Sequence, residues 1–235
     1  MKRRSLFVGA AMVLLAGCSG SWEVAYDEGV SPTESNAWTV KKVNVAVSEN
    51  LTVSNSNTFA PNADIVWHGE PYGDRRAQVR RIMEDGISQG SGSLNGPRGV
   101  IINASVIHFH AVTPAAVARA PGAVHNIKYV VRVFDATTGA PLTEPQEIAA
   151  DLEAYVGAAA VTAALEGNTQ RVRIVRHLAH VTRGFVLEQP ATTGAVVHVE
   201  ELGELRIARR VDDGVEMLVG PPMLLDQLSE GLAGG

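Results

Sequence analysis

Two histidines, His108 and His110, have the spacing best suited to bind a metal ion. They alternate within the apolar stretch from Arg98 to Val112, and alternate residues of a strand point to the same face, so their imidazoles could converge on one ion. His125, at the start of the next predicted strand, could supply a third ligand. No acidic residue lies close to the pair, and two histidines alone make an incomplete zinc site. We therefore expect structural histidines here, with a metal site as the alternative, and no cofactor.

A positive stripe on a predicted helix is the second group of residues that could bind something. The segment from Ala159 to Glu188 has helical periodicity, with a possible interruption near Gly167 and Asn168, and Pro190 ends it. One side of the helical wheel is mostly apolar: Val172, Val175, Leu178, Ala179, Thr182, Phe185 and Val186. The opposite side carries Arg173, Arg176, His177, His180 and Arg183. Such a stripe is either a solvated face or a surface for lipid phosphates or an acidic partner.

Catalytic motifs are missing from the sequence. It contains no Gly-x-Ser-x-Gly elbow, no His-Glu-x-x-His pair and no phosphate-binding glycine loop. The one cysteine, Cys18, has no second thiol with which to form a disulfide. A hydrolase would need a buried acid-base pair, which the sequence does not display. These observations predict that the protein is not an enzyme.

The residues around Cys18 have the pattern of a lipid attachment site. Lys2, Arg3 and Arg4 precede eleven mostly apolar residues, and Leu15-Ala16-Gly17-Cys18 follows the apolar run. The run is too short to cross a bilayer, which takes about 20 apolar residues. The segment resembles the leader of bacterial lipoprotein precursors, whose lipobox reads Leu-Ala-Gly-Cys. The resemblance implies a diacylglyceryl group on the Cys18 thiol, cleavage before Cys18 and an acylated amino terminus. The alternative is an ordinary secretory signal with a chance cysteine.

A lipidated Cys18 would fix the location of the protein. More than one acyl chain gives stable attachment to a membrane, so we expect a periplasm-facing protein anchored by lipid. Ser19 stands where an aspartate would resemble an inner-membrane retention signal, which favours the outer membrane. Removing three basic leader residues from 20 leaves 17 against 25 acidic residues, a net charge of −8. That charge argues against nucleic acid as a partner.

The chain divides into four predicted regions. Residues 1–17 form the leader, 18–38 a flexible tether rich in Ser, Gly, Glu and Asn, 39–190 a folded domain and 191–235 a C-terminal extension. The extension contains a possible hairpin with its turn at Asp212-Asp213-Gly214. We expect one domain with one core.

The order of predicted elements indicates an α+β fold. Strands are expected at Val40–Ser48, Arg98–Val112 and Asn126–Asp135, followed by a returning strand from Glu147 to Val156. A first helix begins near Asp74, with an apolar stripe at Val79, Ile82, Met83, Gly86 and Ile87, and with Arg81 and Asp85 placed to pair. The β-α-β-β-β-α order favours a mixed, mostly antiparallel sheet with both helices on one face. The strand over 98–112 is apolar on both faces, which predicts that both are covered.

The lipobox together with the hairpin sequence Arg-Val-Phe-Asp-Ala-Thr-Thr-Gly, residues 132–139, resembles an uncharacterised family of alphaproteobacterial lipoproteins. The outline is also similar to small periplasmic domains of envelope-assembly and transport-auxiliary lipoproteins. These resemblances imply a binding, assembly or transport-accessory module whose partners are the membrane and another envelope protein. The alternative is a lipoprotein that binds a small ligand or a metal ion.

Overall fold

The computed structural model describes residues 24–27 and 29–187, together with the backbone of three strands nearer the C-terminus. The helices are α1 Pro32–Ser35, α2 Arg75–Ser91, α3 Pro114–Arg119, α4 Gly157–Leu165 and α5 Gln170–Leu187. The strands are β1 Val24–Ala25, β2 Trp38–Val47, β3 Val53–Ser54, β4 Ile65–Val66, β5 Arg98–His110, β6 Ala123–Asp135, β7 Gln146–Ala150 and β8 Leu152–Ala154. Toward the C-terminus, β9 Val196–Val199, β10 Leu205–Val211 and β11 Gly214–Gly220 form a separate antiparallel sheet.

The first eight strands form one mixed sheet, so the predicted α+β fold is confirmed. Strand β2 pairs in parallel with β5, and α2 makes the connection between them. Strands β5, β6 and β7 follow each other as antiparallel neighbours, and β8 also pairs with β6. The short strands β3 and β4 extend the β5 side in parallel. Helices α2 and α5 pack on each other, with α2 against β2 and α5 against β7 and β8.

Helix α2 buries the apolar stripe that the sequence predicts. Val79, Ile82 and Met83 are fully buried, and Gly86 and Ile87 continue the same face. Asp74 caps the helix, because its carboxylate accepts a 3.1 Å hydrogen bond from the Ala77 amide.

The predicted ion pair between Arg81 and Asp85 within α2 is wrong. Asp85 instead binds Arg171 of α5, with 2.5 Å between its carboxylate and the guanidinium. The Asp85 carboxylate therefore pairs with a residue of α5, and not with the residue one turn away in α2 that the sequence spacing indicated.

Strand β5 is covered on one face, and the prediction that both faces are covered is wrong. Val106 and Phe109 are both buried although they lie three residues apart, because a bulge between Val106 and His108 changes the register against β6. On the other face, Asn103 and Ser105 are exposed. Because the bulge shifts the alternation by one residue, apolar residues that the sequence pattern assigned to opposite faces lie on the same buried face.

Part of the range 18–38, predicted as a flexible tether, packs on the domain. Val24 pairs with Ala150 of β7, and the Val30 amide donates a 2.8 Å hydrogen bond to the Phe185 carbonyl. Val24, Val30 and Trp38 are buried. Val24 and Val30 belong to no periodic apolar pattern, so their contacts are not marked in the sequence.

The predicted interruption between the last two helices is confirmed. Gly167 has φ of +84°, a conformation that glycine adopts without strain, and separates α4 from α5. The Asn168 amide then donates a 2.7 Å hydrogen bond to the Ala163 carbonyl, which closes the end of α4. After the break, the first turn of α5 lines a cavity together with α3 and α4.

Two glycines of α2 permit the close approach of α5. A Cβ added at Gly86 would lie 2.5 Å from the Leu178 Cβ, and one added at Gly90 would lie 2.7 Å from the Thr182 Cβ and would overlap the Ala179 carbonyl oxygen. Neither position can gain a methyl group without moving a backbone or a side chain of α5.

We therefore expect Gly90→Ala to lower the free energy of unfolding by about 1–3 kcal/mol, because overpacking forces the two helices apart. Gly122→Ala is the control, since no heavy atom lies within 4 Å of the added Cβ there. Urea denaturation followed by circular dichroism measures both variants. Equal stability of Gly90→Ala and the unmodified chain would contradict the close helix contact.

Candidate functional site

A cavity of about 290 Å³ lies where the loops after β4, β5 and β8 meet α3, α4 and the start of α5. Most of its wall is apolar. The apolar lining comes from Val112, Pro114, Val117, Ala160, Ala163 and Ala164, and the remaining lining from His68, Gly69, Tyr155, Asn168, Thr169, Gln170 and Arg173. Apolar walls with a few polar groups are typical of small-molecule sites, whose volumes start at about 300 Å³.

Two residues that line the cavity each have one buried side-chain atom without a hydrogen-bond partner among the described residues, His68 Nε2 and Gln170 Oε1, and neither atom is accessible to water. The Gln170 amide nitrogen donates a 3.3 Å hydrogen bond to the Val112 carbonyl, which fixes the orientation of the side chain. The pKa of His68 is lowered, mainly by burial and secondarily by the charge of Arg75, against an opposing backbone hydrogen bond at Ser56. His68 is therefore a neutral imidazole near pH 7.

Arg173 supplies a positive charge to the same wall. The residue is only 4% exposed, and its guanidinium lies over the Tyr155 ring, 3.5 Å from the ring centroid. Its Nη2 donates a 2.8 Å hydrogen bond to the Glu153 carbonyl. Stacking and hydrogen bonding hold the cation in place at the start of α5.

Two further histidines, His125 and His177, are buried next to this wall. The Val112 amide donates to His125 Nδ1 at 3.2 Å, so the neutral ring carries its proton on Nε2. Burial, with smaller contributions from Arg173 and His177, lowers the pKa of His125 to about 3. The pKa of His177 is lowered to about 4, again mainly by burial and next by His180. The Nε2 atoms of both rings have no partner among the described residues.

The structure divides the predicted positive stripe of α5 into two sets. Arg176, His180 and Arg183 are exposed, as expected for a surface that meets a partner. Arg173 and His177 are buried, so their assignment to the solvent side is wrong. The cause is that α5 contacts α2 on one side and β7 and β8 on the other, which widens its buried arc beyond the apolar half of the wheel. A partner role for the three exposed residues stays a prediction.

His108 and His110 lie side by side on the outward face of β5, with their ring centroids 5.6 Å apart. His125 does not join them. It is fully buried on the other face of the sheet, because β6 pairs His110 with Asn126, and His125, the residue before Asn126, faces the opposite way. Within residues 24–27 and 29–187, no three His, Cys, Asp or Glu side chains are grouped closely enough to hold a metal ion.

Cys18 lies outside the described residues, so its predicted lipidation has no structural counterpart. In the described part of the chain, no helix has the length and apolar character needed to cross a membrane.

The cavity residues His68 and Gln170 were not singled out by the sequence. They are 102 positions apart in the chain and belong to no motif. Only Gln170 lies near a recognisable feature of the sequence. That feature is the Gly167-Asn168 break, which marks the start of a helix, where backbone N–H groups lack partners within the helix.

Comparison with known proteins identifies the family of the chain. No curated protein matches the sequence. Among solved structures, the PelC dodecamer of Paraburkholderia phytofirmans and a variant of it are similar, each at 8% identity, with TM-scores of 0.33 and 0.34. Each alignment covers 71% of this chain and 96% or 97% of the other, and the TM-scores are too low to establish a shared fold. A family profile matches residues 38–200, and the chain therefore belongs to DUF6778, a family of unknown function.

Proposed function

We propose that a lipidated Cys18 holds the mature protein on a membrane, where the protein faces the periplasm. The membrane in this proposal is the outer membrane, and the protein acts there by binding. In this proposal it is a non-enzymatic accessory component of the cell envelope. The anchor is supported by the Leu15-Ala16-Gly17-Cys18 sequence behind a basic and apolar leader. Its partners are the membrane and another envelope protein, and the acidic net charge of the mature chain disfavours nucleic acid.

The cavity between α3, α4 and α5 is the observation that best supports binding as the mode of action. Its lining, within the described residues, contains no carboxylate, thiol or amino group. General acid-base catalysis usually relies on paired titratable groups whose environments separate their pKa values. Among the described lining residues, His68 is the one histidine, and burial lowers its pKa with no carboxylate beside it to form such a pair. The cavity therefore supports retention of a ligand better than its conversion.

The same observation favours a small-ligand lipoprotein as the specific form of this function. The metal-binding form has less support, because His108 and His110 form a pair without a third described ligand. The assembly form rests on Arg176, His180 and Arg183, which are exposed along one helix and could meet an acidic surface.

Replacing the lipobox cysteine tests the anchor. We expect the unmodified protein to fractionate with membranes and to have an intact mass that starts at Cys18 and includes the acyl groups. Cys18→Ser should remove lipidation and release the protein from the membrane fraction, because the acyl chains provide the attachment. Ser19→Ala is the matched control and should keep both lipid and membrane association. An unmodified chain that starts elsewhere would refute the anchor.

A further inference from the structure

Exposed apolar side chains are concentrated at one end of the sheet, at which β5 and β8 end and β6 begins. We name it the α4 end, after the helix that lies there. We propose that the α4 end lies on the lipid surface, with the side chains of Phe59, Val161 and Leu165 inserted where the headgroups meet the acyl chains. This inference rests on the proposed anchor at Cys18, and it adds the face of the domain that meets the membrane.

Helix α4 exposes an apolar surface without a charge. From Tyr155 to Leu165 the chain contains no charged residue. Val161 and Leu165 are four positions apart, so they lie on one side of the helix, and they are 61% and 84% exposed. Another side of α4 lines the cavity through Ala160 and Ala163. The apolar surface of Val161 and Leu165 is therefore not used by the cavity.

Other exposed apolar side chains surround α4. Among the described residues, the exposed large apolar side chains at the α4 end are Phe59, Tyr72, Val161, Leu165 and Val172, and the one elsewhere is Ile107. The loop of Phe59 is attached to the start of α3, because the Thr58 carbonyl accepts a 2.6 Å hydrogen bond from the Thr113 hydroxyl. Single exposed apolar residues are common on a protein surface, whereas a group of them at one end marks an interaction site.

The direction of β1 brings the lipid to the α4 end. Strand β1 is antiparallel to β7, with Val24 opposite Ala150. The chain therefore enters β1 from the side toward which β7 runs, and β7 is followed by β8 and then by α4.

The connection to the lipid is also too short to reach the other end of the sheet. Ala149 of β7 pairs with Lys128, so β1 lies near the beginning of β6. From Lys128 to the turn at Thr138 the chain covers about 30 Å. Residues 19–23, which connect Cys18 to Val24, span less than that even when fully extended. The α4 end therefore faces the leaflet that holds the lipid.

The charges around α4 favour insertion of apolar side chains over attraction to anionic headgroups. Glu153 and Glu166 flank the helix and are exposed, and the mature chain has 17 basic against 25 acidic residues. An acidic protein gains nothing from an anionic lipid surface. The aromatic rings of Phe59 and Tyr72 suit the headgroup level, as aromatic side chains at membrane interfaces do. We therefore expect the contact to form on uncharged lipid.

A fluorescent label on α4 tests the contact in the lipidated protein. Thr162→Cys places a thiol on an exposed position of α4 and keeps Val161 and Leu165. A nitrobenzoxadiazole label then reacts with this thiol alone, because the lipid occupies Cys18. On phosphatidylcholine vesicles with brominated acyl chains, we expect the emission to shift to shorter wavelength and to be quenched. Ala140→Cys, exposed beyond the far end of β6, is the matched control and should keep the emission seen in water.

The outcomes of this experiment separate the surface from the anchor. A vesicle-bound protein whose label at residue 162 stays in water would overturn the α4 contact and leave the anchor in place. A label that is already shielded from water without vesicles would show that protein covers α4, either a second copy or residues 188–235, and would also overturn the contact.

A chain that starts at residue 18 with Cys18→Ser tests the surface without the lipid. We expect it to bind phosphatidylcholine vesicles weakly, with less than about a twofold change when phosphatidylglycerol is added. Leu165→Glu in this chain should lower the partition coefficient about 10-fold or more, because each buried CH2 contributes about fourfold. Ala140→Glu adds the same charge at the far end and should leave the coefficient unchanged. Equal coefficients for the two variants would overturn insertion of Leu165.

Discussion

Phe185→Ala is expected to lower the free energy of unfolding by about 3–5 kcal/mol, because the ring is buried and its loss leaves a hole in the core. Phe185 is 2% exposed on α5. Its ring meets that of Tyr26 edge to face, with centroids 5.7 Å apart and planes at 87°. The ring therefore joins α5 to the N-terminal segment as well as to the core. Urea denaturation monitored by tryptophan fluorescence measures the change.

Phe59→Ala makes the same chemical change at an exposed position and is the matched control. The Phe59 side chain is 54% exposed, with the Arg119 guanidinium 6.0 Å from its ring centroid. We expect its replacement to cost less than about 1 kcal/mol, as surface changes usually do. Similar losses in the two variants would show that Phe185 does not belong to the core.

Acidification from pH 7 to pH 5 is expected to destabilise the fold by about 2–4 kcal/mol through His125 and His177. The pKa of each is lowered in the folded protein, to about 3 and about 4, from 6.5. Between these values and 6.5 the unfolded chain binds more protons than the folded chain. The stability that the neutral rings provide is therefore complete above pH 6.5 and is lost as the pH falls.

The structural cause lies in the surroundings of the two rings. His125 accepts from the Val112 amide through Nδ1, so protonation of that atom would break a buried hydrogen bond. Arg173 is buried beside both histidines and adds repulsion to either charged ring.

His177→Gln should reduce the loss of stability between pH 7 and pH 5 by about half, because one of the two titrating groups is removed. Arg183→Gln changes an exposed residue of the same helix that is not a histidine, and it serves as the control. The measurement is the unfolding free energy from urea titrations at several pH values. An unchanged pH dependence in His177→Gln would contradict a buried neutral ring.

Strong local patterns explain what could be predicted of the fold. The stripe of α2 repeats at helical spacing and Asp74 precedes it, so both the helix and its buried face followed from the sequence. The alternation from Ile148 to Ala154 likewise identified a strand with one buried face, which the structure divides between β7 and β8. Such patterns depend on neighbours within one element, and a single sequence contains them in full.

Features that depend on contacts between distant segments could not be predicted. The bulge after Val106 reverses which residues of β5 face the core, and nothing in the apolar run marks it. Arg173 is buried because the Glu153 carbonyl and the Tyr155 ring receive its guanidinium, and both belong to another part of the chain. The candidate cavity is lined by residues from several elements, among them His68 and Gln170, and their placement requires the fold to be known.

The pairing of β1 with β7 sets how far the domain can travel from a lipidated Cys18. Val24 is held in the sheet, and six residue-to-residue steps separate it from the cysteine. Fully extended, these steps span about 20 Å. In a lipidated protein, Val24 would therefore stay within about 20 Å of the cysteine that carries the lipid. The domain would then bind only what comes close to its own leaflet.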